Sequence, residues 1–320
     1  MSILITGAAG FIGSWTAKEL IKGGNDIVGI DNFNGYYNPK YKEENIKNIN
    51  DIKGAKIKLY RADIRNFDSL KKIFSKNKID KIIHLAAMVG VRPSIENPMI
   101  YEEVNVRGTL NLLEIAKENS IKKLVFASSS SVYGDMDKSP FSEKDAANSQ
   151  ISPYAATKKS GEILCYTYSS LYKIPTICLR LFTVYGPRGR PDMAPYKFVD
   201  RIMHNKEIEM YGDGSTRRDY TFITDIVSGV LRAVESGANY EIINLGCGNP
   251  VKLKDFIGVI ENALGRNAII KQKEMQPGDV KQTYADISKA RKLLGYSPKI
   301  KINEGVKIFC EWYLKERHEK

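Results

Sequence analysis

Four cysteines in 320 residues, none of them in a Cys-x-x-Cys pair, leave the chain without the spacing of a disulfide framework or a zinc site. Its three histidines, His84, His204 and His318, are just as scattered, so no metal centre is expected. Long apolar runs are also lacking. The most apolar stretches, residues 81–89 and 123–127, fall far short of the ~20 residues needed to span a bilayer. Residues 3–5 lead straight into a glycine motif with no room for a signal peptide, and the expected location is the cytoplasm. Acidic residues are in the minority, 37 Asp and Glu against 49 Lys and Arg, for a net charge of +12. The lysines are spread rather than clustered, which argues against a nucleic-acid partner and suits a phosphate-bearing small substrate.

What is present is a rhythm. Short β-rich runs at residues 3–6, 26–31, 56–61, 81–85, 124–128 and 176–181 alternate with helical patterns at 12–22, 41–49, 67–75, 100–119 and 153–172. Such alternation predicts βαβ units and an α/β fold with a doubly wound parallel sheet. After about residue 181 the chain turns to loops rich in Gly, Pro, Arg and Asp, the composition of segments that bind. Two parts are expected: a Rossmann domain over 1–181 and a smaller substrate-binding part over 182–320. No flexible linker separates them.

Gly7-Ala8-Ala9-Gly10-Phe11-Ile12-Gly13 follows the first strand and opens the first helix. The glycines allow a tight turn and close backbone approach to a pyrophosphate, with a helix N-terminus aimed at that anion. Asp31 ends the next strand, 18 residues after Gly13, where a carboxylate can accept hydrogen bonds from both ribose hydroxyls. It would repel a 2′-phosphate, so the cofactor expected is NAD rather than NADP. Asp63-Ile64 and Leu85-Ala86-Ala87 sit at further strand ends, across which a dinucleotide would lie.

Ser152 and Pro153 carry the signals of a helix start. Tyr154 and Lys158, four residues apart, then share one helical face. A phenol titrates near ~10, and a neighbouring cation stabilises its phenolate, making it a usable base. Ser128-Ser129-Ser130-Ser131-Val132-Tyr133-Gly134 follows the fifth strand, where one hydroxyl could bond a substrate alcohol or carbonyl.

Together these residues resemble the extended short-chain dehydrogenase/reductases. The resemblance runs over nearly the whole chain, through residues 6–13, 63–65, 84–87, 128–134, 154–158, 185–187, 218–220 and 277–279. Within that family the chain is similar to nucleotide-sugar 4-epimerases, above all the type acting on UDP-glucuronate. That likeness rests on Gly90-Val91-Arg92-Pro93-Ser94, Phe182-Thr183-Val184-Tyr185-Gly186-Pro187, Gly189-Arg190-Pro191-Asp192-Met193-Ala194 and Met275-Gln276-Pro277-Gly278-Asp279-Val280.

The resemblance implies roles. Tyr154 is the acid/base, Lys158 binds the nicotinamide ribose and lowers the Tyr154 pKa, and Ser129 contacts the sugar O4. Gly7, Gly10, Phe11, Ile12, Gly13, Asp31, Asn32, Asp63, Ile64, Leu85, Ala86, Ala87 and Asn105 surround the cofactor. Arg218 meets the diphosphate and Asp279 the uridine ribose. Thr183 departs from the wider epimerase pattern, where asparagine is usual. With Arg190 it is the candidate grip on a C6 carboxylate, although Arg190 could instead be a loop residue paired with Asp192.

The expected reaction is NAD-dependent C4 epimerisation of UDP-glucuronate through a transient 4-keto sugar. The alternatives are 4-epimerisation of neutral or N-acetylated UDP-hexoses, decarboxylation of UDP-glucuronate, and a non-catalytic NAD-binding role. The resemblance also implies a homodimer, formed through helices near 100–119 and 153–172.

Overall fold

A computed structural model describes residues 1–52, 54–55, 57–275 and 280–318. From the N-terminus come β1 (Ser2–Thr6), α1 (Phe11–Lys22), β2 (Asp26–Asp31), α2 (Lys40–Asn50), β3 (Ile57–Arg61), α3 (Phe67–Lys76) and β4 (Lys81–His84). Next are the short helices α4 (Val91–Glu96) and α5 (Pro98–Tyr101), a π-helical turn over Glu102–Arg107, and α6 (Gly108–Glu118). Then follow β5 (Lys123–Ser129), a 3-10 turn at Ser130–Tyr133, α7 (Pro153–Tyr172), β6 (Thr176–Leu181) and β7 (Thr183–Tyr185). The last third holds α8 (Ala194–Met203), β8 (Glu207–Tyr211), β9 (Arg217–Arg218), β10 (Tyr220–Phe222), α9 (Ile223–Glu235) and β11 (Tyr240–Leu245). It ends with β12 (Val251–Lys252), α10 (Leu253–Leu264), β13 (Ile269–Lys273), α11 (Ser288–Leu294), α12 (Ile302–Tyr313) and a π-helical turn over Leu314–His318.

Seven parallel strands form the central sheet in the order β11-β6-β5-β4-β1-β2-β3. The doubly wound arrangement expected from the alternating pattern is therefore the one observed. Its last strand, β11, comes from beyond residue 181 and pairs along β6 from Thr176↔Tyr240 to Leu181↔Leu245.

Alternation along each strand sends side chains to two cores. Ile3 and Ile5 of β1 pack with Ala17, Leu20 and Ile21 of α1 and with Ile226 and Val230 of α9. Leu4, between them, faces Leu70 and Ile73 of α3 and Leu112 and Leu113 of α6. Each fully buried Leu or Ile contributes about 1.5–3 kcal/mol. A third core gathers α8, α10 and α12 around Tyr185, Phe222 and Phe256, and Phe11 at the start of α1 reaches into it.

Winding reverses between β1 and β4: β1, β2 and β3 run one way, and β4 and β5 lie on the other side of β1. Ligands of such sheets lie at the carboxyl ends of the strands flanking this switch point.

Candidate functional site

A cleft of about 390 Å³ opens at the switch point. Gly7, Gly10, Phe11, Ile12, Gly13, Asp31, Leu85, Ala87, Ser129, Tyr154, Lys158, Thr183 and Arg190, all named from the sequence, line it. The glycines are sterically required. Gly7 has φ +70°, and a Cβ there would stand 2.9 Å from the Ala86 nitrogen; a Cβ on Gly13 would stand 2.0 Å from the Gly7 carbonyl oxygen. Gly10 is the N-cap of α1, and none of the described side chains caps that end. The exposed N–H end suits an anion.

Asp31 is buried at the end of β2. Its Oδ2 accepts from Ala9 N at 3.1 Å, and its Oδ1 from Phe33 N at 2.8 Å and Lys42 Nζ at 3.3 Å. A smaller adjoining hollow shares Asp31 and Ala87 and adds Asn32, Asp63, Ile64 and Ala86. There Asn32 Nδ2 donates to Asp63 Oδ2 at 2.9 Å, and Arg65 holds the same carboxylate. Glycine turn, strand-end carboxylate and second hollow therefore form one continuous wall.

Helix α7 presents the reactive face. Ser152 caps it by accepting from Ala155 N at 3.2 Å, and Pro153 occupies its first turn. Tyr154, Lys158 and Glu162 follow at successive i+4 positions. Lys158, buried, donates to the Ala127 carbonyl on β5 at 2.7 Å, and burial pushes its ammonium down to about 8. Tyr154 is raised by burial, against which a hydrogen bond with Ser129 and the positive charge of Arg190 act to lower it. In this cleft the lowering influences thus come from Ser129 and Arg190, while the Lys158 ammonium is turned toward β5.

Beneath them Glu162 receives Ser128 Oγ at 2.7 Å and both Nε and Nη2 of Arg180 at 2.8 Å. This fully buried ion pair ties α7 to β5 and β6 just under the Ser129 hydroxyl.

Asn105 does not line the cleft. It lies buried in the π-helical turn, where its Oδ1 accepts from Met88 N at 2.8 Å and its Nδ2 donates to Met88 O at 2.9 Å and Thr157 Oγ1 at 3.1 Å. It secures the loop after β4 to α7. His84, at the end of β4, is wedged between Thr6 Oγ1 at 2.7 Å and Thr109 Oγ1 at 3.0 Å. Thr109 donates to Asn105 O, so Nε2 carries the His84 proton and Nδ1 accepts from Thr6. Burial, with Lys158 nearby, drives this imidazole down to about 3 and keeps it neutral.

On the far wall, Thr183 opens β7, which pairs with β10, and its N–H donates to Asp219 O at 3.1 Å. Arg190 pairs with Asp192 through Nε to Oδ1 at 3.0 Å and Nη2 to Oδ2. Arg218 does not line the cleft; it lies in β9, one residue before Asp219, with Nη1 donating to Arg217 O at 2.9 Å. Asp279 lies outside the described residues.

Sequence reasoning missed Tyr36, Tyr37 and Lys42, which line the cleft, and Tyr101, whose ring meets Tyr154. The Gly35-Tyr36-Tyr37 loop following Asp31 was the available signal, being a glycine-aromatic turn at a strand's carboxyl end.

With this geometry in place, comparison with known proteins is specific. The family model for GDP-mannose 4,6 dehydratase matches residues 4–309. The UDP-glucuronate 4-epimerase of Thermodesulfobacterium geofontis is 44% identical over 310 residues, 97% of this chain and 95% of the relative. Among solved structures, UDP-glucuronic acid 4-epimerase from Bacillus cereus in complex with UDP-glucuronic acid and NAD superposes with TM-score 0.91 at 38% identity. That match covers 98% of this chain and 99% of the other. UDP-glucose 4-epimerase from Thermotoga maritima with UDP-glucose matches with TM-score 0.91 at 31% identity, over the same shares of each chain.

Proposed function

Because the chain belongs to the GDP-mannose 4,6-dehydratase-like extended short-chain dehydrogenase/reductases, a family that includes UDP-glucuronate 4-epimerases, we propose that it interconverts UDP-glucuronate and UDP-galacturonate with NAD. The observation that carries this reading is the single cleft joining the glycine turn, the Ser129–Tyr154–Lys158 group, and Thr183 with Arg190. The part up to residue 181 holds the cofactor and the part beyond it the nucleotide sugar.

Gly7, Gly10 and Gly13 with the open end of α1 would take the pyrophosphate, and Asp31 a ribose. When bound, NAD supplies a reversible hydride acceptor for C4. Tyr154 takes the C4 hydroxyl proton and returns it after the 4-keto sugar has turned over, while Ser129 bonds O4. Lys158 holds the nicotinamide ribose. Arg218 and Asp279 anchor the UDP on which the sugar turns.

A 4-keto uronate is a β-keto acid and loses CO₂ readily once its carboxylate aligns with the developing enolate. Thr183 and Arg190 would hold the carboxylate out of that alignment, a hydroxyl donor beside a bidentate fork. A second reading, 4-epimerisation of neutral UDP-hexoses, is favoured by one observation: the charge of Arg190 is already matched by Asp192.

Proton NMR of the purified protein incubated separately with UDP-glucuronate, UDP-glucose and UDP-N-acetylglucosamine tests the assignment. Inversion at C4 of only a neutral sugar would overturn the uronate, and release of CO₂ with a UDP-pentose would identify a decarboxylase.

The outer faces of α6 and α7 leave Leu110, Ile163, Tyr166 and Leu171 exposed. They support a homodimer built on those helices, which sedimentation equilibrium would check. No helix among the described residues is long and apolar enough to cross a membrane, and all four cysteines are free thiols, which fits a cytoplasmic location.

A further inference from the structure

A guanidinium carries five N–H donors on a rigid planar fork. In Arg190 the side of the fork is committed, Nε and Nη2 gripping the two oxygens of Asp192. The same head lies over Tyr36, 5.4 Å from the ring centroid. Nearby, Tyr101 donates its only hydroxyl proton to the Val89 carbonyl at 2.7 Å. Asp192 sits on the same short loop as Arg190, which Met193 N closes onto Arg190 O at 3.2 Å.

We propose that Asp192 sets how strongly this cleft distinguishes a charged from a neutral sugar. It orients Arg190 by holding one edge of the fork, leaving the other end to the ligand, and it offsets the cation that a C6 carboxylate would meet. With Asp192 present the cleft tolerates both a carboxylate and a hydroxymethyl group at C6. Without its charge the carboxylate faces an uncompensated guanidinium and binds more tightly, and the neutral sugar gains nothing. The inference rests on the reading of Arg190 as the C6 contact.

The test is calorimetric binding of UDP-glucuronate and of UDP-glucose to the NAD-loaded Tyr154→Phe protein, with Asp192 intact, Asp192→Asn, and Asp192→Glu as the charge-restoring control. Asp192→Asn should tighten UDP-glucuronate on the order of tenfold and leave UDP-glucose within about twofold, and Asp192→Glu should return the parent ratio. Two ligands shifting together, an unchanged ratio, or weaker UDP-glucuronate binding in Asp192→Asn would overturn the proposal. Failure of the uronate reading shows up separately, as absence of UDP-galacturonate formation by the wild-type enzyme.

Discussion

Tyr101 stands edge-on to Tyr154, ring centroids 6.2 Å apart and planes at 77°, with its own hydroxyl tied to Val89 O. The contact braces the phenol that would carry the proton. Tyr101→Leu should lower kcat by roughly 10- to 100-fold, the scale at which a small misplacement of a reacting group is felt. Tyr101→Phe keeps the ring edge and should retain most of kcat. Equal losses in the two variants, measured by steady-state epimerisation, would remove the brace from the mechanism.

Tyr154→Phe should cut kcat by on the order of 10³ while leaving UDP-sugar affinity intact. Undiminished turnover in that variant would dismiss Tyr154 as the proton carrier.

Ser129 is one of the two influences that lower the Tyr154 pKa against burial. Since the phenolate is the form that accepts the C4 proton, removing a lowering influence must move the acid limb of kcat/KM upward. The pH profile of Ser129→Ala should therefore be displaced to higher pH. A limb that stays in place, or moves down, would contradict the assignment.

The Arg180–Glu162 pair is buried on both sides. Arg180→Met takes the bidentate partner from a buried carboxylate, leaving it Ser128 and the partly exposed Lys159, and should cost about 3–5 kcal/mol, whereas Glu162→Leu with Arg180→Met removes both fully buried charges and should cost less than either single change. Thermal melts of the three variants decide it; additive losses would mean the two side chains act independently.

His84 carries an acid liability. Its folded value near 3 lies below the ordinary 6.5 of the unfolded chain. The unfolded state therefore gains a proton that the folded state refuses as pH falls from about 6.5 toward 3, and this group's contribution, complete above 6.5, is lost across that window. The slope approaches ~1.4 kcal/mol per pH unit. His84→Gln should show a smaller drop in Tm between pH 7 and pH 5 than the wild type, and an identical drop would mean that His84 is charged inside.

Much of the scaffold was legible because its signals are local. Ser152-Pro153 announces α7, and β2, β6 and α7 fall at the expected bounds. The helix read over 100–119 runs without a gap from Pro98 to Glu118, but the sequence did not show the π-helical turn inside it over Glu102–Arg107, from which Asn105 reaches Met88 and Thr157. No helical periodicity records a bond across half a domain. Strand β11 was likewise unread, since its partner β6 lies some sixty residues away, beyond α8 and α9. The Tyr101–Tyr154 contact is of the same kind, two ordinary helix tyrosines made partners only by the fold.

Strand β11 also bears on how the chain is made. When residue 181 has left the ribosome, β6 has β5 on one side and a bare row of amides and carbonyls on the other. At about 5–20 residues per second, some seconds pass before residues 240–245 arrive to cover it. An apolar Thr-Ile-Cys-Leu-Arg-Leu edge is a template for strangers during that interval. The length of that interval, rather than the stability of the finished sheet, sets how long β6 is open to the wrong partner.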